Sequence, residues 1–270
     1  DKNAVEQFQL EDWVSKRLKH DNLMQCYPHN TEKKYLFQCY EYLQGETLAQ
    51  WLHRQEKPLN LDEILPILQQ TAWALNAMHR LEMLHQDIRP KNIMVLNAEN
   101  AMKIKLIDYG STAVRGLVEI NPKNANRALG TLAFMAPEYF IDHSPSVHSD
   151  QFSLAVMAYY LFTKQLPYGT DLARCNSLKQ MKKVQYHSIR KYRPDLPIWL
   201  DKILGQALSI EPVHRFEALS ELIHNLMHPS KELLNSKPPA IIERDPLRFW
   251  QISCTVLGLL FLLIIAWPFI

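Results

Sequence analysis

From its first residue to about 228 the chain alternates short β-type apolar runs with longer runs at helical spacing. Residues Tyr35–Tyr42 (YLFQCYEY) are rich in aromatics and run into a polar turn at Gln44-Gly45. Thr47 and Gln50 have the spacing of a capping box, which predicts a helix from there to about Gln55. Within Asp62–Arg80, the residues Ile64, Leu65, Leu68, Ala72 and Leu75 share one helical face, with Asp62 placed to cap it. Two strand-like runs follow, Asn92–Leu96 and Met102–Ile107, separated by the turn-forming Asn97–Asn100. After a long loop, Asp150–Phe162 is almost wholly apolar and predicts a helix at the centre of a helical domain. Further helices are predicted near 172–187, 197–208 and 215–227.

The last segment is different. From Ile252 to Ile270 nineteen residues run without a charge, and twelve of them are Leu, Ile, Val or Phe. At 1.5 Å per residue such a helix covers about 28 Å, close to the hydrocarbon thickness of a bilayer. Arg244 and Arg248 lie just before it, Trp250 at its edge and Trp267 near its far end. This pattern predicts a C-terminal transmembrane helix over 250–270, with everything before 249 in the cytoplasm. Residues 229–249 carry Pro229, Pro238, Pro239 and Pro246 and read as a juxtamembrane linker.

Composition narrows the chemistry. Lys plus Arg is 30 and Asp plus Glu is 28, so there is no electrostatic case for nucleic acid as a partner. The four Cys never form a CxxC pair, and the eleven His show no paired-ligand spacing. Neither GxGxxG nor GxxxxGK[ST] can be built from the seven Gly. The chain starts on Asp1 with no apolar leader, and is expected to be part of a longer polypeptide.

Candidate chemistry gathers around His85-Gln86-Asp87-Ile88-Arg89-Pro90-Lys91-Asn92. An Asp followed five residues later by an Asn, at the entrance to a short strand, puts a carboxylate and an amide oxygen near one point. Asp108-Tyr109-Gly110, at the end of the next strand, offers a second carboxylate. Two carboxylates and an amide, with no thiolate or imidazole cluster, suit a hard cation such as Mg²⁺ shared with phosphate. A carboxylate not taken by the metal can accept a proton from a hydroxyl nucleophile.

Taken in order, HQDIRPKN, then DYG at 108–110, then GTLAFMAPE at 130–138 resemble the signature set of the protein kinases. The resemblance covers residues 4–228 and is to the Ser/Thr class. It extends to Tyr40-Glu41-Tyr42-Leu43, to Asp150, and to Arg215 in EPVHR, which in the family pairs with the Glu matching Glu138. It implies an α+β fold of protein-kinase type, mainly the helical C-lobe (44–228) with a partial N-lobe and hinge (1–43). It also implies ATP and Mg²⁺ as cofactors and protein Ser/Thr hydroxyls as substrates. Asp87 would orient and deprotonate the hydroxyl, while Asn92 and Asp108 would hold Mg²⁺. Arg89 stands where Ser/Thr kinases usually carry Lys against the transferred phosphate, and Thr131 matches the Thr that braces the catalytic Asp. The backbone of Glu41 and Leu43 would meet the adenine edge, with Met94 beneath the ring and Tyr40 as gatekeeper.

Departures from the pattern carry their own expectations. Gln86 replaces the Arg that in regulated kinases holds a phosphate on the activation loop, and residues 113–130 contain no Ser, Thr or Tyr. Switching by phosphorylation of that loop is therefore not expected. Counting back nine residues from His20 puts the helix-C Glu at Glu11, and its partner Lys and the Gly-rich lid would lie upstream of Asp1. A narrower resemblance, in HRLEMLHQDIRPKN and in ERDPLRFW leading to a terminal membrane helix, is to the kinase half of bacterial proteins that join a PP2C-type phosphatase to a tail-anchored kinase. It implies a phosphatase domain further upstream. Two other readings stay open here: a membrane-anchored pseudokinase scaffold, and a small-molecule phosphotransferase of the aminoglycoside or choline type.

Overall fold

In this computed structural model, the described residues are 2–28, 36–96, 102–115, 132–141, 145–235 and 246–266; side chains at 2, 3, 246, 248 and 259–266 lie outside that set. Residues 1–230 form one unit and 231–270 another.

In the first unit, helix α1 (Lys2–Ser15) precedes two short antiparallel strands, β1 (Cys26–Tyr27) and β2 (Cys39–Tyr40), with Cys26 opposite Tyr40. Of the aromatic run 35–42, the described residues 36–42 thus supply two residues of strand, paired with the two of β1. Strand β3 (Gly45–Thr47) leads straight into α2 (Leu48–Arg54), whose capping box is the predicted Thr47–Gln50 pair. Gly45 is required there: a Cβ would lie 2.1 Å from the Val95 carbonyl oxygen. Helix α3 (Leu61–His79) begins one residue before the predicted start. Its cap is Asn60, whose side chain accepts from the Glu63 N–H while Glu63 reaches back to the Asn60 N–H. Asp62 therefore does not cap the helix; it sits in the first turn, where its charge favours the helix dipole.

Strands β4 (Met83–Leu84), β5 (Ile93–Leu96), β6 (Lys103–Leu106) and β7 (Ala113–Val114) complete the sheets, in the orders β3-β5-β6 and β4-β7, all antiparallel. Helix α4 (Val147–Thr163) is buried without a break from Ser149 to Tyr159. Buried on every side along this stretch, it sits at the middle of the helices around it, and α3 and α6 (Ile198–Ala207) pack on it. Where one helix was expected over 172–187, the chain makes a short 3₁₀ turn (Leu172–Arg174) and then α5 (Leu178–Met181). The Ser177 hydroxyl caps α5 and interrupts the run. Helix α7 (Leu219–Met227) packs on α3 and α6 and closes the unit.

The second unit holds α8 (Lys231–Leu234) and α9 (Pro246–Ala266). Among the described residues no helix is long and apolar enough to cross a membrane, the side chains of 259–270 lying outside them.

Candidate active site

The β5–β6 ladder brings the predicted oxygens together. Ile93 lies opposite Leu106, and one step beyond the strands the Ile107 N–H donates to the Asn92 carbonyl at 2.9 Å. Asn92 and Asp108 therefore emerge at the same end of the ladder. Asn92 closes a 3₁₀ turn begun by Pro90, and its amide donates to both the backbone oxygen and Oδ2 of Asp87, each at 2.8 Å. With Nδ2 so engaged, Oδ1 of Asn92 points away from Asp87. Arg89 Nε lies 3.3 Å from Asp87 Oδ1. Asp87, Arg89, Asn92 and Asp108 are thus one constellation, in which Asp87 and Asn92 are buried and Asp108 is exposed.

Its backbone is held from beneath by Asp150, which is fully buried at the start of α4. Oδ2 of Asp150 takes the His85 N–H at 3.0 Å and His79 Nε2 at 2.8 Å, and Oδ1 takes the Gln86 N–H at 3.0 Å. Gln86 needs that support, because its φ of 66° is a left-handed conformation costly for a residue with a Cβ. Asp108, with φ 69°, is strained in the same way. Two of the four described non-glycine residues with positive φ (Glu82, Gln86, Asp108 and Lys164) thus flank the site.

Helix α1 packs against the Asp108-Tyr109-Gly110 turn. Gln7 donates to the Gly110 carbonyl at 2.9 Å, and Oε2 of Glu11 and Oδ1 of Asp108 both lie 3.4 Å from where a Gly110 Cβ would sit. Burial pushes the Glu11 carboxyl above the usual range, the Tyr40 hydroxyl (3.2 Å) opposes the shift, and the Asp108 charge adds to it. No described Lys or Arg pairs with Glu11.

On the far side, Glu41 lies where β2 ends, bonded to Gln25 and ion-paired with Lys105 of β6 at 2.5 Å. Met94 faces Lys105 across the β5–β6 ladder, so the two share one face of it. Leu43 is half-buried, and its N–H and C=O take no hydrogen bond among the described residues. Thr131 and the loop 116–130 lie outside the described residues. Beyond them, Glu138 and Arg215 form a bidentate pair with both distances 2.9 Å. Burial alone would raise the Glu138 carboxyl, but the Arg215 hydrogen bonds and charge, with the Ser149 hydroxyl at 2.7 Å, hold it below the usual carboxylate range.

Several working residues had little or no signal in the chain. Asp150 is legible only through the family resemblance, at the start of the buried helix. Lys105 and Gln7 offered nothing, since an isolated Lys in a short strand or Gln in a helix reads as solvated surface.

The donor set fits Mg²⁺. Oδ1 of Asn92 and the exposed Asp108 carboxylate are two hard oxygens at one end of a ladder, and this ion typically takes one or two carboxylates and completes its shell from phosphate and water. Among the described residues no three His, Cys, Asp or Glu gather into an all-protein cage.

A helical body with small antiparallel sheets, and an Asp–Asn–Asp constellation where the two meet, is the arrangement of the protein-kinase class. Residues 1–229 match the family model "Protein kinase domain", and the chain belongs to that family. It is 25% identical over 222 residues to the Ser/Thr protein kinase PrkC of Bacillus subtilis, covering 82% of this chain and 33% of that protein. To the Ser/Thr protein kinase Pkn3 of Myxococcus xanthus it is 30% identical over 221 residues, covering 80% and 40%. The chain therefore spans about a third of the length of these relatives. The crystal structure of the Mycobacterium tuberculosis PknI kinase domain has the same fold, with a TM-score of 0.63 at 24% identity over 84% of this chain and 79% of that one.

Proposed function

We propose that the chain moves the γ-phosphate of ATP to Ser and Thr hydroxyls of proteins, at the cytoplasmic face of a membrane that holds its C-terminal helix. The observation that carries this reading is the contact of Asp87 with Asn92 at the ladder end that also delivers Asp108. Asp87 Oδ1 or Oδ2 accepts the proton of the incoming hydroxyl and aims its oxygen in line with the phosphorus. Arg89, tied to Asp87, presents its guanidinium to the equatorial oxygens of the moving phosphoryl group, with a forked set of donors where Lys would offer a point charge. Asn92 and Asp108 would hold Mg²⁺, which when bound would supply charge neutralisation at the phosphates. The Glu41 and Leu43 backbone meets the adenine edge above Met94. These intact residues favour an active enzyme over a scaffold, and Glu138–Arg215 favours the protein-kinase branch over small-molecule phosphotransferases.

The membrane anchor rests on the uncharged run 252–270 and on the exposure of Trp250, Ile252, Val256 and Leu257 along α9. An upstream PP2C-type domain rests only on the likeness of the segments named above. Joined to the Gly-rich strands and Lys that the family carries before helix C and reconstituted in lipid vesicles, the chain is expected to stay with them through an alkaline wash and to transfer label from γ-labelled ATP to Ser or Thr of added proteins, whereas residues 1–270 alone are expected to bind ATP weakly and transfer little. No transfer at any nucleotide concentration would sink the reading.

The control of activity is proposed to bypass the activation loop. Gln86 is buried with its Nε2 unpartnered among the described residues, so the place of a phosphate-holding Arg is taken by a neutral amide. Mass spectrometry after incubation with ATP is expected to find no modification within 113–130 that alters the rate.

A further inference from the structure

The β1–β2 ladder breaks off in an informative way. Its pairs run Tyr27 with Cys39 and Cys26 with Tyr40, so the next pair in register is Gln25 with Glu41. A hydrogen-bonded pair in an antiparallel ladder exchanges two N–H···O=C bonds. One is present: the Glu41 N–H donates to the Gln25 carbonyl at 2.9 Å. The other is diverted. The Gln25 N–H donates instead to Oε1 of the Glu41 side chain, at 2.7 Å. The carboxylate has taken the place of its own residue's carbonyl, and the Glu41 C=O has no partner among the described residues.

Lys105 is what keeps the carboxylate there. Its Nζ lies 2.5 Å from the same Oε1 and donates to the Leu23 carbonyl at 3.2 Å, and its side chain is only 9% exposed. The receiving loop is fixed in turn: the Gln25 amide donates to the carbonyls of His20 and Leu23, and Met24 and Leu106 are joined through the Met24 N–H. A carboxylate with the Gln25 N–H as its one remaining donor would leave for water, and the Gln25 N–H would then close the ordinary ladder bond on the Glu41 carbonyl.

We infer that Lys105 is a positioning residue for the nucleotide base: by holding the Glu41 carboxylate on the Gln25 N–H, it leaves the Glu41 carbonyl free to accept from the 6-amino group of adenine. This rests on the proposal that the Glu41–Leu43 backbone meets the adenine edge. The ligand preference it builds is for a purine that donates at position 6.

The test compares ATP with purine riboside triphosphate, which lacks only the 6-amino group, by competition against a fluorescent ATP analogue on the full chain. One neutral hydrogen bond should make the wild type prefer ATP by about five- to tenfold. Lys105→Met should bring that ratio to near one, and adding Glu41→Gln, whose neutral amide oxygen can stay on the Gln25 N–H without an ammonium, should restore most of it. A merely structural lysine would change both affinities together and leave the ratio alone. A folded Lys105→Met protein that keeps the wild-type ratio overturns the inference while leaving nucleotide binding intact. A wild type with no preference for ATP instead overturns the underlying reading of Glu41. Should Lys105→Met not fold, Glu41→Ala asks the same question, since Gln25 then has only the carbonyl to donate to; an unchanged ratio there counts equally against the inference.

Discussion

Asp87→Asn is expected to lower phosphate transfer by about 10²- to 10⁴-fold, the usual contribution of a positioned general base. Nucleotide affinity should change far less, because in the proposed reading Asp87 serves the hydroxyl and Asn92 and Asp108 serve the nucleotide. The substitution is nearly isosteric, and Asn92, Asp150 and the backbone at His85 and Gln86 keep their bonds. The lost elements are the proton acceptor and the ionic partner of Arg89. Single-turnover transfer, measured beside nucleotide binding and the unfolding midpoint, separates these effects. A variant that transfers phosphate at the wild-type rate would remove Asp87 from the chemistry. Loss of transfer with binding and stability kept would also separate the enzyme from a scaffold, whose function needs no base.

Arg215→Ala should be the most destabilising single change in the helical body, costing about 3–5 kcal/mol. The guanidinium is buried and makes five short contacts: two to Glu138, and one each to the carbonyls of Ser209, His148 and Ile210. Its Cζ also lies 4.8 Å from the centre of the Phe152 ring. Truncation strands a buried carboxylate and three carbonyls together. In a unit of this size the thermal midpoint should fall by about 10 °C. Arg215→Lys should recover little, because one ammonium cannot replace a planar fork. The same pair predicts a pH dependence. The folded Glu138 carboxyl titrates below its unfolded value, so its contribution is fully present above the ordinary carboxylate pKa and is lost as pH falls through the depressed value. Acid unfolding should therefore move to higher pH in Arg215→Ala, and denaturant midpoints followed down the acid limb would show it.

Glu138 and Arg215 also mark how far a chain can be read without coordinates. They are 77 residues apart, and only a family pattern, no local rule, links them. The Asp87–Asn92 spacing, the Thr47–Gln50 box and the apolar 150–162 run were legible because each is a short-range pattern that one turn, cap or helix satisfies by itself. The cap of α3 is ambiguous in the sequence for a related reason: Asp62 and Asn60 are both competent, and the choice depends on Glu63 reaching back from inside the helix. Strand length at 35–42 depended on what the neighbouring chain could pair with, which no local pattern states.

Residue spacing thus pointed to the candidate side chains and to the elements that hold them, because those elements form from contacts within a few positions. Which backbone groups those side chains leave bonded or free was decided only by packing. The Asp150 carboxylate reaches Gln86 across 64 positions, and Lys105 reaches Glu41 across the same interval. A buried charge takes whatever donor or acceptor the fold brings within three ångströms, and that partner is set by the path of the whole chain.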